Sequence, residues 1–409
     1  MPIYENLEKR GLIAQCTDPG LGELLAKERF TIYVGFDPTS ASLHLGNLVP
    51  IMALAHFQRA GHKVLALVGG ATAMVGDPSG RSDERNLLSP DQVKENAEGV
   101  RKQLSHFLDF DGPNAAVMVD NYDWTSRMSF IDWLRDVGKY FTVNYMVAKE
   151  SVKSRMQSEQ GISYTEFSYM TMQANDFLYL FDHHGCRLQG GGSDQWGNIT
   201  AGTDLIRRLR QQQAYGLTFP LITTASGAKF GKSAGNALWL DAERTSPWEF
   251  YQYLVRQDDR DVARFLRIYT FLPDAEIEEL EQQIAEHPEQ RAAQKALAYE
   301  VTAIVHGADV AREMQTEAQN LYGGGTSKIV AAEVAASQLE EGMEILDLML
   351  LTPMVKSKGE GRRLLDAGGV YVNDARVAAG TKITLAHRNA ESFIALRSGK
   401  KNYFLVQVK

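Results

Sequence analysis

The chain has 409 residues, 44% of them hydrophobic, and a formal net charge of −8. That length exceeds one ordinary hydrophobic core, so two or three domains are expected, and the acidic balance excludes a general nucleic-acid coat. Its two cysteines, Cys16 and Cys186, lie far apart without metal-ligand or disulfide spacing, and the start MPIYENLEKRG has no basic-then-apolar leader, so a cytoplasmic protein without a membrane span is expected.

In chain order, the first strong element is the apolar run Thr31–Phe36, which reads as a strand. A turn with Asp37, Pro38 and Gly46 follows, then an apolar helix from Leu48 to Phe57. The stretch YVGFDPTSASLHLGN, 33–47, thus points a helix start with unpaired N–H groups at an anion above the sheet, and a nucleotide phosphate is the expected anion. Val64–Val68 and Ala115–Val119 are the next strands. Between them Ser89-Pro90-Asp91-Gln92 predicts a helix start, with a capping box and Pro at the first helical position.

The segment YTEFSYMTMQANDFLYL, 164–180, predicts an amphipathic helix. Tyr169, Gln173 and Asp176 are spaced by four and three and share one face, while Phe167, Phe177 and Leu178 belong to the core. Arg187–Gln189 and Phe219–Thr223 complete the strands. Strands alternating with helices imply an α/β fold: a Rossmann-like parallel sheet covered on both faces, with ligands at the carboxyl ends of the strands.

Next comes Lys229-Phe230-Gly231-Lys232-Ser233, a Gly-containing loop whose two lysines can neutralise a polyphosphate. It is not a P-loop, because that spacing needs glycine at Ser226. The dinucleotide fingerprint is missing too, since Gln195 stands where the third glycine after Gly190 and Gly192 belongs. From Ser246 to about Asn320 the chain is rich in Glu, Gln, Ala and Leu, with breaks at Pro273 and Pro288, and reads as helical. Gly323-Gly324-Gly325 opens a linker. From about Met343 a separate module is expected: two short helices, then a turn and strand over Gly368–Asn373. Lys356–Lys409 holds 11 Lys and Arg against 4 Asp and Glu, a balance of +7 that leaves −15 on the remainder (32 basic against 47 acidic). A basic appendage on an acidic body suits local contact with a phosphate backbone or, equally on charge alone, a solvated surface.

HLGN, 44–47, followed by KFGKS resembles the two signature motifs of class I aminoacyl-tRNA synthetases. Together with GDPSGR, 76–81, the 164–177 segment and GGSDQWGN, 191–198, the chain resembles bacterial-type tyrosyl-tRNA synthetases over nearly its whole length. The stretch 357–377, SKGEGRRLLDAGGVYVNDARV, is similar to the S4 RNA-binding pattern. The resemblance implies a catalytic domain over 1–224, the KFGKS loop region over 225–245 and an anticodon-recognising helical domain over 246–320. A linker over 321–342 and an S4-like module over 343–409 follow.

The implied reaction activates L-tyrosine with ATP, accompanied by Mg2+, and passes the tyrosyl group to the terminal adenosine of tRNA(Tyr). A homodimer is implied, and no protein-bound metal. By motif match, Thr39, His44, Asn47, Lys229, Lys232 and Ser233 would be catalytic. Tyr33, Asp77, Tyr169, Gln173, Asp176 and Gln195 would bind tyrosine, with Tyr33 and Asp176 on its hydroxyl. Gly35, Asp37, His44, Gly46, Asn47, Gly192, Asp194 and Lys232 would bind ATP, and Arg81 and Arg85 would stabilise pyrophosphate. The chain departs from the family's common pattern at Asn47, where a second His is frequent, at Thr224 and Ser226, which stand where Lys and Asp are common, and at Arg81 and Arg85, in the loop after GDPSG where a Lys and an Arg are frequent.

Overall fold

The computed structural model describes residues 1–80, 87–159, 161–233, 236–322, 330–340, 342–373, 375–388, 392–399 and 402–409. The chain forms two compact units, Met1–Ala311 and Arg312–Lys409.

The first unit is built on a six-stranded sheet. Its strands are β1 Gln15–Cys16, β2 Thr31–Phe36, β3 Lys63–Val68, β4 Val117–Asp120, β5 Cys186–Gly192 and β6 Tyr215–Phe219, in the order β1-β6-β5-β2-β3-β4. All pairs are parallel except β1 with β6. Parallel strands are buried on both faces, and Val64–Val68 accordingly reads as a continuous apolar run with no exposed residue. The chain leaves β2 toward β3 on one side, while β5 pairs on the other, so a crevice opens at the carboxyl ends of β2 and β5.

Helix Leu48–Arg59 packs against the sheet, with Leu48, Ile51, Met52, Leu54 and Phe57 fully enclosed. Helix Pro90–Phe107 starts where the sequence predicts, with Ser89 Oγ accepting from the Gln92 N–H (3.2 Å). Helix Tyr164–His184 is capped by Ser163, which accepts from the Glu166 N–H (3.2 Å), and ends at Gly185 in the left-handed region. It buries Phe177 and Leu178 in a core shared with Tyr33, Leu65 and Leu205, and Phe167 packs against that core.

The expected strand Phe219–Thr223 is displaced: β6 spans Tyr215–Phe219 and stops where Pro220, which has no N–H for the ladder, follows. The residues beyond run into a hairpin that carries Lys229, with a short pair of strands, β7 Lys232–Ser233 and β8 Asn236–Ala237, behind it. Helices Pro247–Val255, Asp259–Tyr269, Asp274–Glu286 and Ala292–His306 complete this unit.

In the second unit, the range expected as a linker contains strand β9, Val330–Val334, and helix Ala336–Glu340. Strand β10, Met343–Glu344, and β13, Lys382–Ile383, form a short antiparallel pair. The larger sheet adds β11 Val370–Val372, β12 Ala375–Arg376, β14 Phe393–Ser398 and β15 Asn402–Val408, in the order β12-β11-β14-β15-β9. Its β9 pairs in parallel with β15 at the far end of the chain, a non-local partner that no local pattern announces. Two short helices, Ile345–Leu350 and Lys358–Asp366, pack on a core of Ile345, Leu348, Val370, Ile394 and Val406.

Candidate active site

A cleft of about 990 Å³ opens at the carboxyl ends of β2 and β5. The sequence-predicted residues Tyr33, Gly35, Asp37, Thr39, His44, Gly46 and Asn47 line it from β2 and the turn beyond. Asp77 lines it from the loop after β3, and Tyr169, Gln173 and Asp176 from helix Tyr164–His184. Gly192, Asp194 and Gln195 enter from the end of β5, and Lys229 from the hairpin. Arg81, Arg85 and the side chains of Lys232 and Ser233 lie outside the described residues.

At the floor, Asp176 is 2% exposed. Its Oδ1 accepts from Trp124 Nε1 (2.8 Å) and its Oδ2 from Asn121 Nδ2 (2.9 Å). Burial pushes this carboxyl up to about 7; the two hydrogen bonds oppose the shift, and the nearby carboxylates of Asp37 and Asp120 add to it. Tyr33 is equally buried, and its hydroxyl has no hydrogen-bond partner among the described residues. Burial, and then the charge of Asp176, raise its pKa well above the usual phenol value. An orphaned buried hydroxyl beside a buried carboxylate is a costly arrangement that a polar ligand group entering the cleft would relieve.

The floor is tied to the cleft wall by one chain of hydrogen bonds. Asn121 Nδ2 also donates to Thr72 Oγ1 (3.0 Å), which donates to Asp37 Oδ1 (2.7 Å), and Tyr169 Oη donates to Asp37 Oδ2 (2.8 Å). Asp37, expected on the ATP side, is therefore bonded to Tyr169 and Thr72. A second network joins Gln195 Nε2 to Asp77 Oδ2 (2.6 Å) and Asn198 Nδ2 to both Gln195 Oε1 (3.1 Å) and Gln173 Oε1 (3.2 Å). Burial raises the pKa of Asp194 as well, partly offset by a hydrogen bond from Gln195 and by the charge of Lys229.

On the opposite wall His44 caps a short turn. Its Nδ1 accepts from the Gly46 N–H (3.1 Å), and Asn47 Oδ1 accepts from the His44 N–H (3.0 Å). In the neutral ring the proton is consequently on Nε2, which makes that nitrogen a donor. Gly46 is needed here, because a Cβ would come within 2.9 Å of the imidazole. Asn47 thus acts through the cap, and Trp239 packs edge-on against the His44 ring at 6.2 Å. The two signature segments are joined through one residue: the Leu45 N–H donates to Leu238 O (2.8 Å), and the Leu238 N–H to Gly231 O (2.8 Å).

Sequence reasoning missed Thr72, Asn121, Trp124, Asn198 and Trp239. Asn121 follows β4 directly and Thr72 lies four residues beyond β3, so position at a strand's carboxyl end was the signal that could have found them.

Two family descriptions match the chain: tRNA synthetases class I (W and Y) over residues 25–323, and the tyrosine–tRNA ligase SYY-like C-terminal domain over 327–406. The tyrosine–tRNA ligase of Roseiflexus castenholzii is 49% identical over 421 aligned positions, covering 99% of each chain. That of Geobacillus stearothermophilus is 48% identical and covers both chains in full. Among solved structures, a C-terminally truncated mitochondrial tyrosyl-tRNA synthetase of Aspergillus nidulans is similar with a TM-score of 0.72 and 33% identity, over 78% of this chain and 94% of that one.

Proposed function

Because the chain belongs to the class I tyrosine–tRNA ligases, we propose a division of labour for its cleft residues in that reaction. Tyrosine and ATP form tyrosyl-adenylate and pyrophosphate, and the tyrosyl group then passes to tRNA. In the first step a tyrosine carboxylate oxygen bonds to the α-phosphorus as the bond to pyrophosphate breaks. No protein nucleophile takes part, so rate comes from positioning and charge stabilisation.

Tyr33 and Asp176 read the substrate hydroxyl, and the orphaned Tyr33 hydroxyl is the observation that carries this reading. Tyr169, Asp77 and Gln173 take the ammonium, with Asp37 holding Tyr169, and Gln195 meets the carboxylate end. Gly192 and Asp194 take the ribose. Thr39 and His44 contact the phosphates of ATP, which arrives with Mg2+ as a substrate complex, and Asn47 holds the His44 turn. Lys229, Lys232, Ser233, Arg81 and Arg85 serve the pyrophosphate.

Exchange of labelled pyrophosphate into ATP tests the assignment. It is expected with tyrosine and not with phenylalanine, which would leave the buried Tyr33 hydroxyl without a partner and offer no O–H to the Asp176 carboxylate; equal exchange with phenylalanine would overturn the role of Tyr33 and Asp176. Gly69→Ala gives a sharper test, since a Cβ there would overlap the Asp37 and Thr72 oxygens. Its KM for tyrosine is expected to rise about tenfold, with KM for ATP unchanged.

The domain division and partners follow the same reading. Residues 1–224 carry the sheet, 225–245 the KFGKS hairpin, 246–320 recognise the anticodon, and 343–409 contact tRNA through their basic surface. Ending the chain after Tyr322 is expected to preserve pyrophosphate exchange while tRNA charging falls about tenfold or more. Six large apolar side chains, Phe130, Ile131, Leu134, Val143, Met156 and Tyr164, are exposed within 35 residues of sequence, which supports a homodimer. No helix among the described residues is long and apolar enough to cross a membrane, and the cytoplasm is the proposed location.

A further inference from the structure

The hairpin that presents Lys229 is held from below by two helices of the same unit. On its leading side, the Ala225 N–H donates to Asp261 Oδ2 (2.7 Å), and Arg264 donates to Thr223 O while pairing with Asp261 Oδ1 (3.1 Å). The turn between is closed by Thr224 N–H to Ala228 O (2.8 Å) and by Thr224 Oγ1 against Ser226 Oγ (2.8 Å). On its trailing side the Gly231 N–H donates to Tyr253 Oη (2.9 Å). Gly231 has φ +84°, and a Cβ there would approach Leu45 at 3.0 Å, so this crossing favours glycine. Phe230, next to Lys229, is buried among Phe265, Tyr269 and Tyr253, with ring centroids 4.1, 5.1 and 5.6 Å away.

The backbone on both sides of Lys229 is thus anchored, while its own side chain is exposed and lines the cleft. A lysine side chain already loses rotamer freedom when it is ordered, and a wandering backbone would add to what must be ordered in the transition state. We propose that Asp261, Arg264 and Tyr253 are positioning residues that hold the Lys229-Phe230-Gly231 segment over the cleft so that the ammonium group meets the departing pyrophosphate. This rests on the pyrophosphate role of Lys229.

The test uses the full chain. Arg264→Gln alters a half-exposed side chain, and Tyr253→Phe removes the hydroxyl that accepts from the Gly231 N–H and also meets the Gln257 side chain. In each, kcat for tyrosine-dependent pyrophosphate exchange is expected to fall about tenfold, with KM for tyrosine and the melting temperature unchanged. Arg264→Lys, which keeps the charge without the fork to two acceptors, is expected to recover part of the loss. Trypsin cleavage after Lys229 is expected to accelerate about fivefold or more in Arg264→Gln, a readout independent of catalysis. Unchanged kcat and cleavage rate in both variants would overturn the positioning role, as would a kcat loss that merely follows a fall in melting temperature. Lys229→Ala, measured in parallel, separates the two readings: if it is silent, the role of Lys229 fails, whereas a crippled Lys229→Ala beside unaffected Arg264→Gln and Tyr253→Phe defeats the positioning role alone.

Discussion

Asp176→Asn is expected to lower kcat/KM for tyrosine in pyrophosphate exchange about 1,000-fold, with KM for ATP little changed. An asparagine keeps one acceptor where the carboxylate has two, so its NH2 must face the Asn121 or Trp124 donor that Asp176 now satisfies. One lost charged hydrogen bond to the substrate and one buried donor left unpaired together amount to roughly 3–5 kcal/mol. A variant within tenfold of wild type would sink the assignment.

The same carboxyl predicts a pH dependence. With its value in the free protein at about 7, kcat/KM for tyrosine should rise as pH increases through that value and level off above, because the anion accepts the substrate's O–H. The stability effect has the opposite sign. Between the ordinary carboxylate value of 3.8 and about 7 the folded chain holds a proton that the unfolded chain has lost, so this group's contribution declines as pH rises across that window. Urea midpoints measured below and above the window should differ less in Asp176→Asn than in wild type.

His44→Asn is expected to lower kcat for exchange about 100-fold, with KM for tyrosine unchanged, whereas His44→Gln should stay within about tenfold. The reason lies in the ring's two nitrogens. Nδ1 is occupied by the Gly46 N–H, so the ring's own N–H donor is Nε2. Asparagine reproduces the Nδ1 position and keeps the cap; glutamine reaches the Nε2 position and keeps the donor. An asparagine variant more active than the glutamine one would mean that the cap, and not the donor, is what the reaction needs.

Much of this was legible in the sequence because it depends on neighbours in the chain. The cap at Ser89, the shared face of Tyr169, Gln173 and Asp176, and the glycine beside His44 are set by spacings of one to four residues. The order of the motifs likewise identified the family, since that pattern lies in the chain itself. What local spacing cannot carry is a partner distant in sequence. The pairing of β9 with β15 turned an expected linker into a strand, and the end of β6 was decided by Pro220 and the cleft beyond it. Asn121 and Trp124 lie 55 and 52 residues from Asp176, and only the parallel sheet, which delivers its strand ends to one rim, brings them to that carboxylate. The sequence by itself determined which groups could recognise tyrosine and phosphate; the tertiary structure decided which are buried and which are already bonded, and hence that Asp37 holds Tyr169 while the Tyr33 hydroxyl is left without a partner among the described residues. Burial and hydrogen bonding are properties of packed surroundings, and those exist only once the sheet has assembled.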